Sequence, residues 1–125
     1  MIEYTVQVSQ DKTEWRLDGK LHREDGPAIE WENGDKFWYL NGKSHREDGP
    51  AIEWESGDKF WYLKGYLHRE DGPAIEYADG SKSWWLNGEN LSEEEFNKRT
   101  KTKELTVNEI ESLLGYKIKI VGEST

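Results

Sequence analysis

A nine-residue string, His-Arg-Glu-Asp-Gly-Pro-Ala-Ile-Glu, occurs three times without change, at 22–30, 45–53 and 68–76. The spacing is 23 residues each time. A fixed period of this length marks a stack of short units, each burying its apolar side only against its neighbours. In register the units run 13–35, 36–58 and 59–81, and a fourth opens at Lys82 as KSWWLNGEN before departing. Trp15, Trp38, Trp61 and Trp84 share one register position. Leu17, Leu40, Leu63 and Leu86 share a second, and Gly19, Gly42, Gly65 and Gly88 a third.

A 23-residue unit is too short for a pair of helices, and its punctuation is that of strands. Ala28-Ile29-Glu30-Trp31 alternates, and Glu32-Asn33-Gly34-Asp35 supplies a turn with a glycine for positive φ. Lys36 to Leu40 is an aromatic, β-favouring run, ended by the two-residue turn signal Asn41-Gly42. Asp25-Gly26-Pro27 marks a further reversal, with Pro27 at a strand start, where its missing N–H does least harm. Each unit therefore reads as a β-hairpin plus a polar loop. Successive hairpins extend one antiparallel sheet by about 9–10 Å per unit, two strand spacings. Alternation along 36–40 puts Trp38 and Leu40 on one face and Phe37 and Tyr39 on the other.

The ends read as caps. Ile2, Tyr4, Val6 and Val8 alternate with polar residues, so 1–12 is expected to be an N-terminal capping strand and its turn. After the repeats (13–91), Ser92-Glu93-Glu94-Glu95 fits a capping box opening a short helix to about Arg99. Thr106-Val107-Asn108-Glu109 repeats that signal, with Ile110, Leu113 and Leu114 on one face and Gly115 as the stop. Tyr116 to Val121 alternates as a closing strand. The expectation is one domain over 1–125, mainly β: a single-sheet hairpin solenoid with a small helical cap at 92–125.

The units resemble MORN repeats, which are also 23-residue β-hairpin units. The likeness lies in Asn-Gly-Lys-x-His, a glycine four residues on, then a strand, an x-Gly turn and an aromatic strand. His-Arg-Glu-Asp-Gly-Pro stands where the usual spacing has a Gly-rich stretch, so the match is to a variant. The HREDGPAIE and NGK units followed by a Leu-Ser-Glu-Glu-Glu-Phe helix are also similar to a group of small bacteriophage proteins. The first resemblance implies a scaffold or a protein- or lipid-binding surface, and the second an antagonist of host defence.

Composition narrows the function classes. The 125 residues hold 26 acids and 17 bases, a formal charge of −9. Residues 1–91 carry 19 of the acids and 11 of the bases, so the acidity belongs to the repeats. That balance excludes sequence-independent binding to DNA or to an anionic membrane, both of which need a basic face. No cysteine is present, which removes disulfides and thiolate chemistry. With no apolar signal core and no long apolar run, the chain is expected to be cytoplasmic and not membrane-bound.

Three sets of residues are candidates for function. His22, His45 and His68, with Arg23, Arg46 and Arg69, form a possible ladder along one edge. Guanidinium forks and imidazoles suit an anionic, nucleotide-like ligand; equally, each arginine can pair with a nearby acid and each histidine can satisfy a loop carbonyl. The second set, Trp31, Trp54 and Tyr77, forms a column that stays exposed if the Trp15 column is core, and exposed aromatics suit protein contacts. The third, Asn97 to Lys103, is a basic stretch suited to phosphate or an acidic partner, or else a solvated linker. One histidine per unit offers no chelating pair, and three identical loops fit an active site poorly, so no metal, cofactor or catalysis is expected. The sequence thus points to a non-enzymatic binding protein that blocks or sequesters a host component, a protein of an antiviral system. The alternatives are a sponge for a nucleotide-type signal and a scaffold that self-assembles through its sheet edges.

Overall fold

The computed structural model describes residues 2–101, 105–119 and 121. Among the described residues, fourteen strands and two helices follow one another. β1 (Thr5–Val8), β2 (Lys12–Leu17) and β3 (Lys20–Leu21) open the chain, followed by β4 (Ile29–Trp31). The middle units contribute β5 (Lys36–Phe37), β6 (Tyr39–Leu40), β7 (Lys43–Ser44) and β8 (Ile52–Glu53), then β9 (Lys59–Phe60), β10 (Tyr62–Leu63), β11 (Tyr66–Leu67) and β12 (Ile75–Glu76). β13 (Lys82–Leu86), β14 (Glu89–Leu91), α1 (Glu93–Thr100) and α2 (Val107–Leu114) complete it.

The protein is mainly β, as expected, with one long antiparallel sheet in the order β1-β2-β4-β5-β8-β9-β12-β13-β14. The expected continuous strand over 36–40 breaks at Trp38. Lys36–Phe37 pairs within the long sheet, whereas Tyr39–Leu40 pairs with β7 in a separate ribbon; β10 and β11 repeat this in the next unit. Trp38 is the hinge. Its N–H donates to the Ala51 carbonyl at 2.7 Å, while its own carbonyl accepts from the His45 N–H at 3.1 Å. The single-sheet expectation is therefore corrected to a long sheet flanked by two-stranded ribbons.

Two-residue turns close the ribbons. Asp18, Asn41, Lys64 and Asn87 all have positive φ (48–52°), each followed by a glycine at 78–86°. Two successive positive φ values are the type I′ geometry that matches strand twist. The last three turn glycines donate their N–H to the preceding unit: Gly42 to Leu21, Gly65 to Ser44 and Gly88 to Leu67, all at 2.9 Å.

Little of this structure is interior. Ala28, Ala51 and Ala74 are wholly buried, and the rest of the apolar core is Ile75, Leu91 and Phe96. The accessible surface is 9238 Å², against roughly 6,900 Å² for a compact chain of this mass. Among the described residues, α1 against β13 and β14 is the main packing over the sheet.

The two ends differ. At one, all four residues of β1 are exposed and Tyr4 packs edge-on against Trp15 (5.6 Å). At the other, α1 packs on β13 and β14 and buries Phe96, and its N-cap Ser92 accepts from the Glu95 N–H. α2 carries the expected capping box, Thr106 with Glu109, and ends at Gly115 (φ 78°), yet buries no residue. The expected closing strand is not formed: residues 116–119 and 121 lie in no strand, and Ile120 is outside the described residues. Tyr116 and Val121 are exposed, and the backbone at Ile118 is held instead by the Glu111 carboxylate (2.9 Å). Alternation needs a partner edge, and this segment has found none among the described residues.

Candidate functional site

The repeated string builds an interlocked loop. In the central copy, the Arg46 guanidinium lies flat over Trp38, 3.9 Å from the ring centroid. Its Nε donates to Asp48 (2.9 Å), and its Nη1 donates to the Pro50 carbonyl (3.1 Å) and to Glu53 (3.2 Å). Arg23 makes the same set over Trp15 with Asp25, Pro27 and Glu30, and Arg69 over Trp61 with Asp71, Pro73 and Glu76. The glycine of each loop leaves room for the fork. A Cβ built on Gly49 would stand 2.9 Å from the Arg46 Cζ, and Gly26 and Gly72 are equally close to theirs.

Each histidine links two units. Nδ1 of His22 accepts the Asn41 N–H, Nδ1 of His45 that of Lys64 and Nδ1 of His68 that of Asn87, all at 2.9 Å. An acceptor Nδ1 carries no proton, so the neutral imidazole is protonated at Nε2. Nε2 in turn faces Glu24, Glu47 or Glu70 at 3.5–3.6 Å. The ladder of three arginines and three histidines thus exists, its guanidiniums and imidazole Nδ1 atoms bonded inside the chain, while the buried His22 Nε2 meets no hydrogen-bond partner.

Between successive loops lie two equivalent grooves. One, of about 610 Å³, has Trp38, Leu40 and His45 among its lining; the other, of about 670 Å³, has Trp61, Leu63 and His68. Their rims are carboxylates: Glu47, Asp48, Glu70 and Asp71 have side chains 79–87% exposed, whereas the arginines are only about one-fifth exposed. The Arg46 hydrogen bond holds the Asp48 carboxyl below its ordinary value. Such a rim repels an anion. Among the described residues no group of three His, Asp or Glu side chains is placed to hold a metal ion.

The other face of the long sheet is apolar. Directly paired residues share a face, and the register sets Ile29, Phe37, Ile52, Phe60 and Ile75 in one continuous row. On the opposite face, the row Glu30, Lys36, Glu53, Lys59, Glu76 and Lys82 alternates in charge. Trp31, Trp54 and Tyr77 stand two residues beyond the isoleucines and so extend the apolar face. Trp54 packs edge-on against Phe37 (5.2 Å) and Tyr77 against Phe60 (6.0 Å). Trp54 is 40% and Tyr77 42% exposed.

Trp31 is different. It is half-buried, its indole nitrogen meets no hydrogen-bond partner, and Lys12 Nζ sits 4.8 Å from the ring centroid. Lys12 is also ion-paired to the buried Glu14 (2.7 Å); with Arg16 it keeps that carboxyl below its ordinary value, against the effect of burial. The phenylalanines and isoleucines of this face were not singled out from sequence. A signal for them exists: a turn over 32–35 places Ile29 opposite Phe37.

Two further features have structural roles. Trp85 stands in the register of Tyr39 and Tyr62 and donates to Ser83 Oγ (2.7 Å). Within the basic stretch, Lys98 pairs with Glu94 and Arg99 bridges Glu89 and Glu95; residues 102–104 lie outside the described set. No described helix is long and apolar enough to cross a membrane. Set against known proteins, the chain matches no family model, no curated protein and no solved structure.

Proposed function

We propose that this chain is a non-enzymatic binding module, a MORN-like hairpin solenoid that docks a protein on its apolar face. Trp31, Trp54 and Tyr77, with Phe37 and Phe60 between them, form the contact row. One observation carries the reading: the loop arginines and the histidine Nδ1 atoms are bonded within the chain, while Trp54 and Tyr77 of the aromatic row stay about two-fifths exposed among the described residues. Large exposed rings are efficient contact residues because each brings much area for few rotatable bonds. The resemblance to small bacteriophage proteins makes a host protein, one of an antiviral system, the partner to seek.

The test is affinity capture from bacterial lysate, comparing the wild type with a Trp54→Ala, Tyr77→Ala double variant of verified fold. One stoichiometric protein retained by the wild type and lost by the variant supports the reading. Equal retention by both contradicts it. A nucleotide released when the purified protein is denatured would move the site to the arginine ladder, and a concentration-dependent mass would favour self-assembly through the open β1 edge.

A further inference from the structure

We propose that Trp54 and Tyr77 are seats for two cationic side chains, lysine or arginine, carried about 9–10 Å apart on an extended segment of the bound partner. The inference rests on the reading of this face as the docking surface, and it names what docks there.

The fold itself shows the rule. Four of its aromatic rings already carry a cation from the same chain: Trp15 under Arg23, Trp38 under Arg46, Trp61 under Arg69 and Trp31 under Lys12. The ring quadrupole makes that arrangement favourable, more so when water is excluded. Trp54 and Tyr77 carry no such cation among the described residues, and they are the two exposed members of their column.

The sequence changes at the position that would supply one. Twenty-three residues on from Lys12 stands Asp35, and 23 further Asp58. Where the residue just before the first unit, Lys12, brings an ammonium to the ring of Trp31, the first and second units bring a carboxylate to the residues Trp54 and Tyr77. Each is fixed to the backbone next to its ring residue: Asp35 Oδ1 accepts the N–H of Glu55, the residue after Trp54, and Asp58 Oδ1 accepts that of Ala78, the residue after Tyr77, both at 2.7 Å. No lysine or arginine occurs in 29–35, 52–58 or 75–81. An uncovered aromatic face with a carboxylate anchored to the backbone next to its residue fits an alkyl-ammonium or guanidinium group and repels an anion.

Spacing selects the segment. A polyproline II chain repeats every three residues at about 3.1 Å per residue, so every third side chain returns to one side about 9.3 Å on. That matches the pitch of the seats.

The test uses a fluorescein-labelled (Lys-Pro-Pro)4 peptide against the full chain, with (Gln-Pro-Pro)4 as control. The indole N–H resonances of the wild type are followed in parallel, so the result does not depend on a variant folding. The expected result is saturable binding at low salt that moves the Trp54 resonance. The glutamine peptide and the Trp54→Ala, Tyr77→Ala variant should each bind at least tenfold more weakly, and Lys12→Ala, which uncovers Trp31, should bind more tightly. Equal affinity for the two peptides, no binding at millimolar concentration, or shifts confined to Trp38 and Trp61 would each overturn the inference. If any of these occurs while the double variant still loses a partner captured by the wild type, the docking face stands and its cationic occupant falls. If capture is also equal for both proteins, the docking face falls as well.

Discussion

The two faces of the long sheet carry aromatic rings in similar numbers and use them in opposite ways. On the loop side, each of Trp15, Trp38 and Trp61 lies under a guanidinium whose nitrogens also reach an aspartate, a proline carbonyl and a glutamate. On the other side, Trp54 and Tyr77 touch one phenylalanine each and are about two-fifths exposed. The difference teaches that the most conspicuous motif in a repeat sequence can be its fastening. The unchanged nine-residue string is accounted for almost residue by residue by contacts within its own loop and to the next unit. The ring that follows the string, Trp54 or Tyr77, instead keeps about two-fifths of its surface exposed.

Substitutions can break or sharpen that contrast. The largest effect is expected at Arg46→Ala, which removes the ring cover and three hydrogen bonds at once. The exposed Asp48 pairing contributes little, so the expected loss of about 2–3 kcal/mol comes mainly from Trp38, Glu53 and the Pro50 carbonyl; urea unfolding measures it. His22→Phe comes next, at about 2 kcal/mol, because the Asn41 N–H loses its acceptor in a part-buried site. Gly49→Ala should cost about 1.5 kcal/mol by pushing the guanidinium off its ring. It should cost almost nothing in the Arg46→Ala background, a coupling that a double-mutant cycle reads directly. On the open face, Tyr77→Leu, which keeps an apolar side chain against Phe60 and loses the edge-on ring pair, should cost only about 1 kcal/mol. The smallest effect has the opposite sign. Lys64 holds φ 52° at a turn position where two other units have asparagine, so Lys64→Asn should raise stability by about 0.5 kcal/mol.

Much of this architecture was legible in the sequence. The 23-residue period, the Asn-Gly turns, the polar loop and the two capped helices follow from local chemistry: positive φ at glycine, a serine or threonine at N-cap, and alternation within a run. The break at Trp38 was not legible, because Lys36 to Leu40 is β-favouring throughout. What divides it is that its first half pairs with neighbouring units and its second half with its own return strand. The arginine fork was visible only as adjacency; its partners lie two, four and seven residues on and meet it because the loop reverses. The alternation over 116–121 misled for the complementary reason, since it satisfies the local pattern with no strand beside it. Of the candidate residues, the structure brings Trp54 and Tyr77 to the surface, places Trp31 under Lys12, and seats the histidines between units; the Trp15 column is only half-buried and is not the core that the column argument assumed.

The central claim, that the arginine ladder is fastening and not a ligand site, is tested most directly by the Nε–H signals of Arg23, Arg46 and Arg69 in a ¹⁵N NMR spectrum. The account predicts three signals protected from solvent exchange, each bonded to its aspartate, and unmoved by millimolar nucleotide. Rapid exchange at all three, or shifts of these signals when nucleotide is added, would contradict it.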